Sequence, residues 1–243
     1  MNEVTVETKD LVRRFGNLTA IDNVTMTIST GELFGLLGPN GAGKTTILRL
    51  LTGQLEPTSG SSKVLGIDPA KNPIAVKARI GVVPEVESPP SFLTAVEYLQ
   101  FIGLVRDIED IEERATHWIE YMGMREVQNV PCKDLSKGTR QKLVVAAALI
   151  HDPPLVFLDE PFSGLDPHYQ KIMKDYLHGY LQRGGTVFMC THILEIAEKI
   201  CTRIGIIDRG RIVAVGSPTD LRREGETLDS VFMRYTETPD AAR

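Results

Sequence analysis

The chain has 243 residues, 42% of them hydrophobic and 24% charged, and its 27 Lys and Arg against 32 Asp and Glu give a formal charge of −5 at pH 7. This length can bury a core without disulfide bonds, and the mildly acidic balance argues against a general nucleic-acid coat protein. No apolar run approaches the roughly 18 residues that cross a bilayer, and the polar start MNEVTVETKD lacks a signal-peptide pattern, so we expect a cytoplasmic protein rather than a secreted or integral-membrane one.

The first third of the chain combines strand patterns with one loop–helix pattern. VTVETKDLV (4–12) and VTMTIS (24–29) alternate apolar and polar side chains, which predicts half-buried antiparallel strands. ELFGLLG (32–38) is a nearly continuous apolar run, and KTTILRLLTG (44–53) gathers its apolar residues on one helical face. The order predicts a buried strand, a glycine-rich loop and a helix.

That loop carries a phosphate-binding pattern, because GPNGAGKTT (38–46) matches G-x-x-x-x-G-K-[ST]. Its glycines let backbone N–H groups wrap around a polyphosphate, and the helix adds the positive end of its dipole. Lys44 would then reach the β- and γ-phosphates and the Thr45 hydroxyl would ligate Mg²⁺. The alternative is an ordinary glycine-rich turn, which the strand–loop–helix context disfavours. The predicted nucleotide-binding residues of the loop are Gly38, Pro39, Asn40, Gly41, Ala42, Gly43, Lys44, Thr45 and Thr46.

The middle of the chain is typical of a helical insertion. Apolar residues recur at helical spacing after Thr94, which forms a capping box with Glu97, and again over residues 108–122. The acidic run over residues 107–113 is interpreted as the solvated face of the second helix rather than as a metal site. We expect this helical subdomain to span about residues 88–150.

Two further polar features occur where helices begin. LSKGTRQKL (135–143) opens a third helix with Ser136 and Gly138, where a hydroxyl and backbone N–H groups converge on any anion. His192 follows an apolar strand at a loop–helix junction. Taken alone, the first feature is only a helix cap and the second only a structural histidine.

The remaining apolar runs are typical of strands buried on both faces. They are RIGVV (79–83), LVFLD (155–159), TVFMC (186–190) and RIGIID (203–208). Helical patterns separate most of these runs, which predicts an α/β core. The three cysteines, Cys132, Cys190 and Cys201, show no metal-ligand spacing and are expected to be buried, reduced thiols.

Asp159 and Glu160 follow the second of these strands directly. Burying charge is costly, so two carboxylates at this point favour a bound cation or a reacting group over an ordinary strand end with two solvated acids. Asp159 would hold the Mg²⁺ shell, and Glu160 would orient and deprotonate an attacking water.

In this order and spacing, these elements resemble the nucleotide-binding domain of ATP-binding cassette (ABC) proteins over nearly the whole chain. The motifs are Walker A (GPNGAGKTT), the signature (LSKGT), Walker B (LVFLDE), the D-loop (SGLDP) and the switch histidine, His192. The resemblance implies an α/β P-loop NTPase core with an N-terminal antiparallel β subdomain and the inserted α-helical subdomain. It implies one domain over residues 1–243, with a C-terminal tail from about residue 217, and an adenine that stacks on Phe15.

The resemblance also implies a second nucleotide-binding subunit, paired head to tail with two ATP molecules between the subunits. Ser136 and Gly138 would contact the γ-phosphate that the partner's Lys44 holds, Asp166 would communicate across the interface, and His192 would sense the γ-phosphate as a catalytic residue. Whether the two subunits are identical or different stays open. The tail forms either a surface helix or part of a second dimer contact.

The chain departs from the family pattern in two motifs. Glu85 stands where the Q-loop usually carries Gln, and the resemblance places it at the nucleotide and at Mg²⁺. Its charge is expected to raise the proton affinity of at least one carboxyl in its cluster with Asp159 and Glu160. The signature carries Lys137 and Thr139 in place of Gly and Gln, while both of its predicted anion contacts remain.

The function that the resemblance implies is the ATP-hydrolysing subunit of a membrane transporter, peripheral on the inner face of the cell membrane through a separate permease. VPE, LSKGTRQKL and the tail LDSVFMRYT are similar to exporter-type cassettes, and exposed Phe92 is the expected permease contact. The alternative is a soluble ABC ATPase that acts on ribosomes or DNA, but such relatives usually carry two cassettes, long insertions or basic arms, and no nucleic-acid partner is expected. A module without turnover would lack the intact pair Asp159 and Glu160.

Overall fold

A computed structural model describes residues 3–86, 89–223 and 225–236. The strands in these residues are β1 (Val4–Phe15), β2 (Leu18–Ser29), β3 (Leu33–Leu37), β4 (Ser59–Val64), β5 (Ile80–Val83), β6 (Leu155–Asp159), β7 (Thr186–Thr191), β8 (Arg203–Asp208) and β9 (Arg211–Gly216). The α-helices are α1 (Lys44–Leu51), α2 (Pro73–Arg79), α3 (Ala95–Val105), α4 (Ile111–Tyr121), α5 (Lys137–Leu149), α6 (Pro167–Gln182), α7 (Leu194–Ile200) and α8 (Leu228–Thr236).

The strands form two sheets, which confirms the predicted α/β class. The smaller sheet has the order β2-β1-β4 and is antiparallel, so the alternation in the first two strands is correctly interpreted. The larger sheet has the order β5-β6-β7-β3-β8-β9, and it is parallel except for its edge pair β8–β9. The carboxyl ends of its parallel strands therefore point the same way and bring their following loops together.

The centre of the larger sheet is buried on both faces. Every residue of β3, β6 and β7 is buried, as expected for parallel strands covered by helices on each side. Phe34, Phe157 and Phe188 pack against one another across these strands, with ring centroids 5.5 and 5.9 Å apart. Such packing makes the strand ends a rigid base for the loops that they carry.

The helical region follows the predicted pattern with one correction. The Thr94 hydroxyl accepts from the Glu97 N–H and the Glu97 carboxylate accepts from the Thr94 N–H, which confirms the capping box. Helix α4 begins at Ile111 rather than at Ile108, because Ile108 belongs to the end of α3: Asp107 adopts a left-handed φ of 53°, and the Ile108 N–H donates to the Gly103 carbonyl at 3.0 Å. Within the acidic run, Asp107, Glu109, Asp110, Glu112 and Glu113 are exposed, which agrees with the solvated interpretation.

The helical region and the larger sheet share one continuous hydrophobic core. Helix α5 packs on β5, and buried side chains of α3, α4 and α5 belong to the same cluster as those of β6, β7 and β8. Residue 88, the predicted start of the insertion, lies outside the described residues.

The C-terminal tail includes helix α8, which buries Leu228 and Val231 against α7 and β8. The described part of the tail thus contains a helix that packs on its own domain. Residues 224 and 237–243 of the predicted tail are not among those described. All three cysteines are buried and free, as expected. Among the described residues, none of the helices has the length and apolar character that a membrane crossing requires.

Candidate functional site

A cleft of about 350 Å³ lies where the end of the β1–β2 hairpin meets the carboxyl ends of the parallel strands. Its lining residues are Phe15, Leu18, Ala20, Asn40, Gly41, Gly43, Lys44, Thr45, Thr46, Glu85, Asp159 and Glu160. The cleft thus gathers residues from four separate parts of the sequence. One end is apolar, and the other carries Lys44, Thr45 and the three carboxylates.

The predicted phosphate loop joins β3 to α1, and two of its glycines adopt left-handed backbone conformations, as expected. Gly41 and Gly43 have φ values of 81° and 111°, a region that side chains avoid. A Cβ atom on Gly43 would also lie 2.8 Å from the Ala20 carbonyl oxygen, so no larger residue fits there. Helix α1 starts at Lys44, and its free N–H groups therefore face the loop.

Lys44 is the charged group of this loop, and its side chain is only 7% exposed. Its Nζ atom donates to the carbonyl oxygens of Gly38 at 2.6 Å and Pro39 at 3.1 Å. These two residues do not line the cleft themselves. A buried ammonium group with flexible donors can exchange such carbonyl bonds for phosphate oxygens.

The turn between β8 and β9 supports the phosphate loop from outside the cleft. Gly210 donates its N–H to the Ala42 carbonyl at 2.9 Å, and its own carbonyl accepts from the Asp22 N–H at 2.9 Å. Ala42, one of the predicted nucleotide-binding residues, is buried and does not line the cleft, so it supports the loop from behind. The turn therefore links the loop to the antiparallel sheet.

Asp159 ends β6 directly beside the phosphate loop and is 2% exposed. Its Oδ2 atom accepts from the Thr45 hydroxyl at 2.9 Å. Burial raises the pKa of Asp159, and the negative charges of Glu85 and Glu160 raise it further, against the Thr45 hydrogen bond and the Lys44 charge. The direction of this shift agrees with the expected rise in proton affinity within the cluster, with burial as its largest cause.

These groups fit a magnesium ion. A hydroxyl and a carboxylate 2.9 Å apart, with Glu85 in the same cleft, offer the oxygen ligands that Mg²⁺ prefers. Among the described residues, His, Cys, Asp and Glu side chains form no group of three or more that would hold a metal alone.

Glu160 adopts a strained backbone, with φ at 50°, although it is not glycine. Its N–H donates to the Cys190 carbonyl at 2.9 Å, and its carbonyl accepts from the Ser163 N–H at 3.1 Å, so neighbouring segments hold it in place. Strain of this kind costs about 1–3 kcal/mol and tends to occur at functional sites.

The Glu160 carboxylate is fixed by the end of β7. Thr191 donates its hydroxyl to Oε2 at 3.1 Å, and the His192 Nδ1 atom is hydrogen-bonded to Oε1 at 2.8 Å. With Glu160 as a carboxylate that only accepts, His192 would donate this bond from Nδ1. His192 does not line the cleft but reaches it through Glu160.

Ser136 and Gly138 do not line the cleft. Ser136 caps α5 and accepts from the Thr139 N–H at 3.1 Å, as predicted. Gly138 lies against the D-loop, where an added Cβ atom would be 3.1 Å from the Gly164 carbonyl oxygen. The structure therefore places the signature beside the D-loop and not at this chain's own phosphate loop.

Sequence reasoning missed several residues of the site. Thr191 went unnoticed although it directly precedes His192, and a hydroxyl at a strand end is a usable signal. Leu18 and Ala20 line the apolar end of the cleft through a hairpin that brings Leu18 opposite Phe15. No local signal marks these two, because their position depends on how the two sheets meet.

We expect Asp159→Asn to raise the melting temperature at neutral pH in buffer without nucleotide or Mg²⁺. The pKa of Asp159 is higher in the folded than in the unfolded chain, so a protonated Asp159 stabilises the fold. This contribution to the free energy of unfolding is lost as the pH rises through the folded pKa. Asn is permanently neutral and can still accept from Thr45. The gain should shrink as the pH falls toward 3.8, the ordinary Asp value. Exposed Asp175→Asn, the matched control, should show no such trend in thermal melts, and a lower melting temperature for Asp159→Asn at pH 7 would contradict the argument.

Comparison with known proteins gives consistent matches. The family profile described as ABC transporter matches residues 21–163. The probable multidrug ABC transporter ATP-binding protein YbhF of Escherichia coli (strain K12) is 35% identical over 224 residues, which are 91% of this chain and 39% of that protein. The Nod factor export ATP-binding protein I of Sinorhizobium fredii is 37% identical over 89% of this chain and 64% of its own length. The chain thus spans only part of each relative.

Solved structures share the fold. A structure described as the ATP binding subunit of an ABC transporter has a TM-score of 0.90 and 28% identity, and the match covers 95% of this chain and 99% of that one. The ATP-binding cassette MJ0796, solved as a dimer in a post-hydrolysis state bound to ADP and Pi, has a TM-score of 0.81 and 24% identity, with 87% and 98% coverage. The second likeness is one of fold alone.

Proposed function

Because this chain belongs to the ABC transporter family, we propose that it binds ATP with Mg²⁺ in the cleft and hydrolyses it to ADP and phosphate to power a membrane transporter. The observation that carries the proposal is the fixed Glu160 carboxylate in the same cleft as Lys44 and the pair Thr45–Asp159. A general base, a phosphate-binding cation and a magnesium site are the parts that phosphoryl transfer to water requires.

In this proposal the charged end of the cleft holds the triphosphate and the apolar end holds the base. The loop N–H groups and Lys44 bind the phosphates, and Thr45, Asp159 and Glu85 hold Mg²⁺, which neutralises charge on the phosphates when bound. Glu160 accepts a proton from the attacking water. His192 keeps the carboxylate oriented through its hydrogen bond and responds to the γ-phosphate.

We further propose that two nucleotide-binding subunits enclose the nucleotide. Ser136 and Gly138 do not line the cleft of their own chain, and they lie at the start of α5, whose first-turn N–H groups can face a nucleotide held by a partner. The Ser136 hydroxyl accepts from the Thr139 N–H and would have to turn its own proton toward that nucleotide. Gly138 contacts the D-loop, whose Asp166 caps α6 by accepting from two N–H groups. The signature and the D-loop would thus move together when the dimer closes or opens. A cassette of the same fold has been solved as a dimer.

The whole chain is proposed to act as one nucleotide-binding domain, with the helical subdomain at about residues 88–150 and the tail from about 217. Support comes from the shared core, in which side chains of α3, α5 and α8 join those of the parallel sheet. A movement of the helical region would therefore also displace the strands whose carboxyl ends form the cleft.

The partner in transport is proposed to be a separate permease, which would keep the chain at the inner face of the membrane. Phe92, just before α3, is 80% exposed, and α3 adds further exposed apolar side chains at Phe101, Leu104 and Val105. Phe101, Leu104 and Val105 share one face at the end of α3, and exposed apolar faces of this kind mark interaction sites. The names of the two relatives, one a probable multidrug transporter protein and one for Nod factor export, favour an exporter. Action on ribosomes or DNA is less favoured, because both relatives are named for transport or export and the chain is acidic.

Purification from native membranes in mild detergent tests this proposal. The wild-type chain is expected to bring down a multi-span protein, and Phe92→Asp is expected to lose most of it, because a charge would be buried in an apolar contact. The matched control is Ile74→Asp, which changes an equally exposed apolar residue on α2. Both variants should keep the basal ATPase rate. Recovery of the wild type only with ribosomes or chromatin would overturn the transporter role, and equal membrane recovery of all three chains would overturn the Phe92 contact.

A further inference from the structure

Phe15 is the aromatic residue at the apolar end of the cleft, and it is 42% exposed. A ring this exposed has little packing of its own to fix its orientation. The guanidinium carbon of Arg13 lies 4.5 Å from the ring centroid, over the ring face. The Arg13 guanidinium thus fixes the orientation of the Phe15 ring, which the surrounding apolar side chains do not.

Arg13 is itself fixed in place. Its Nη1 atom donates to the Glu56 carbonyl at 2.8 Å, which ties the side chain of β1 to the segment that leads into β4. The guanidinium is planar and can donate at its edge while it stacks by its face. Arg13 therefore holds the ring against a fixed point of the backbone and not against a mobile side chain.

Arg13 does not line the cleft, whereas Phe15 does. With a cation on one ring face, the face left for a nucleobase is the opposite one. A cation on the far side also draws electron density away from the open face, which favours stacking with an electron-rich purine. Among the residues that the structure describes, Phe15 is the one aromatic residue that lines the cleft, so base affinity depends strongly on this ring.

We propose that Arg13 is a positioning residue for the nucleobase, which acts through Phe15 by fixing and polarising the ring on which the base stacks. This inference rests on the proposed nucleotide binding. It assigns Arg13 to the recognition of the base and to none of the phosphate or Mg²⁺ contacts. The effect should be similar for adenine and guanine, since both bases present a π-face.

Isothermal titration of wild type, Arg13→Met and Arg13→Lys with MgATP, MgGTP and inorganic tripolyphosphate tests the assignment. Arg13→Met keeps the aliphatic stem and is expected to bind both nucleotides roughly two- to five-fold more weakly, as a cation–π contact at an exposed site predicts. Binding of tripolyphosphate, which has no base, should not change. Arg13→Lys restores a cation and should recover part of the affinity, and the KM for ATP should rise in Arg13→Met while kcat stays the same.

Two controls separate this role from a structural one. Arg14→Met changes the neighbouring exposed arginine and should bind like wild type. In a Phe15→Ala background, Arg13→Met should cause no further loss, because the ring through which it acts is gone. Equal ATP binding by wild type and Arg13→Met, equal losses for ATP and tripolyphosphate, or full additivity with Phe15→Ala would each overturn the assignment. Failure of the wild type to bind any of the three probes would instead refute nucleotide binding itself.

Discussion

Glu160→Gln is expected to lower the ATP turnover number by about 10²–10⁴, the usual contribution of a general base. Gln has nearly the same shape but cannot take a proton from water. It can still accept from Thr191, and its amide can donate to His192 if the imidazole changes tautomer. The residue would therefore keep its place in the cleft while the chemistry is lost.

Binding should survive this substitution, because Lys44, Thr45 and Asp159 are unchanged. ATP is then expected to accumulate unhydrolysed and to trap a dimer that size-exclusion chromatography detects in the presence of MgATP. Phosphate release under excess ATP measures turnover, and equilibrium titration measures affinity. Glu112→Gln, an exposed acid of α4, is the matched control and should hydrolyse like wild type. Turnover by Glu160→Gln within a few-fold of wild type would remove Glu160 from the role of base.

The strained backbone of Glu160 also decides which substitution tests its role cleanly. With φ at 50°, the position is costly for Glu and for Gln alike, so both chains carry the same strain. Loss of activity therefore cannot come from a relaxed backbone. A glycine at this position would relieve strain and remove the carboxylate together, which makes it the poorer test.

The parts of the site that could be predicted from sequence are those encoded by contiguous residues. The phosphate loop could be predicted because its geometry is encoded locally: Gly41 and Gly43 allow its left-handed turns, and Lys44 begins the helix that follows. The position of Asp159 and Glu160 after a buried strand was equally readable. The contact of Glu160 with His192 was not, because it depends on β6 and β7 being neighbours in the parallel sheet.

The elements that sequence reasoning missed are those with weak apolar patterns. Strand β4 is SGSSKV, with mostly exposed residues, and it exists because β1 offers it an edge to pair with. Strand β9 is the antiparallel edge of a parallel sheet, and its turn back from β8 uses left-handed residues that no apolar pattern predicts. The prediction that α4 starts at Ile108 was wrong for a similar reason: Ile108 fits the helical spacing of α4, but its N–H bonds back to the Gly103 carbonyl and closes α3 after the left-handed Asp107.

Lys44→Ala is expected to weaken ATP binding by about 100-fold or more, since charge-assisted bonds to two phosphates contribute roughly 1.5–3 kcal/mol each. The buried ammonium bonds only loop carbonyls within this chain, so its removal should leave the fold intact. Thermal melts measure both properties at once, because a ligand that binds the folded state raises the melting temperature. Wild type and exposed Lys63→Ala should gain stability with MgATP, and Lys44→Ala should not. An equal gain in all three chains would mean that the phosphates do not lie at Lys44. A lower melting temperature of Lys44→Ala without nucleotide would mean that Lys44 supports the fold and not the ligand.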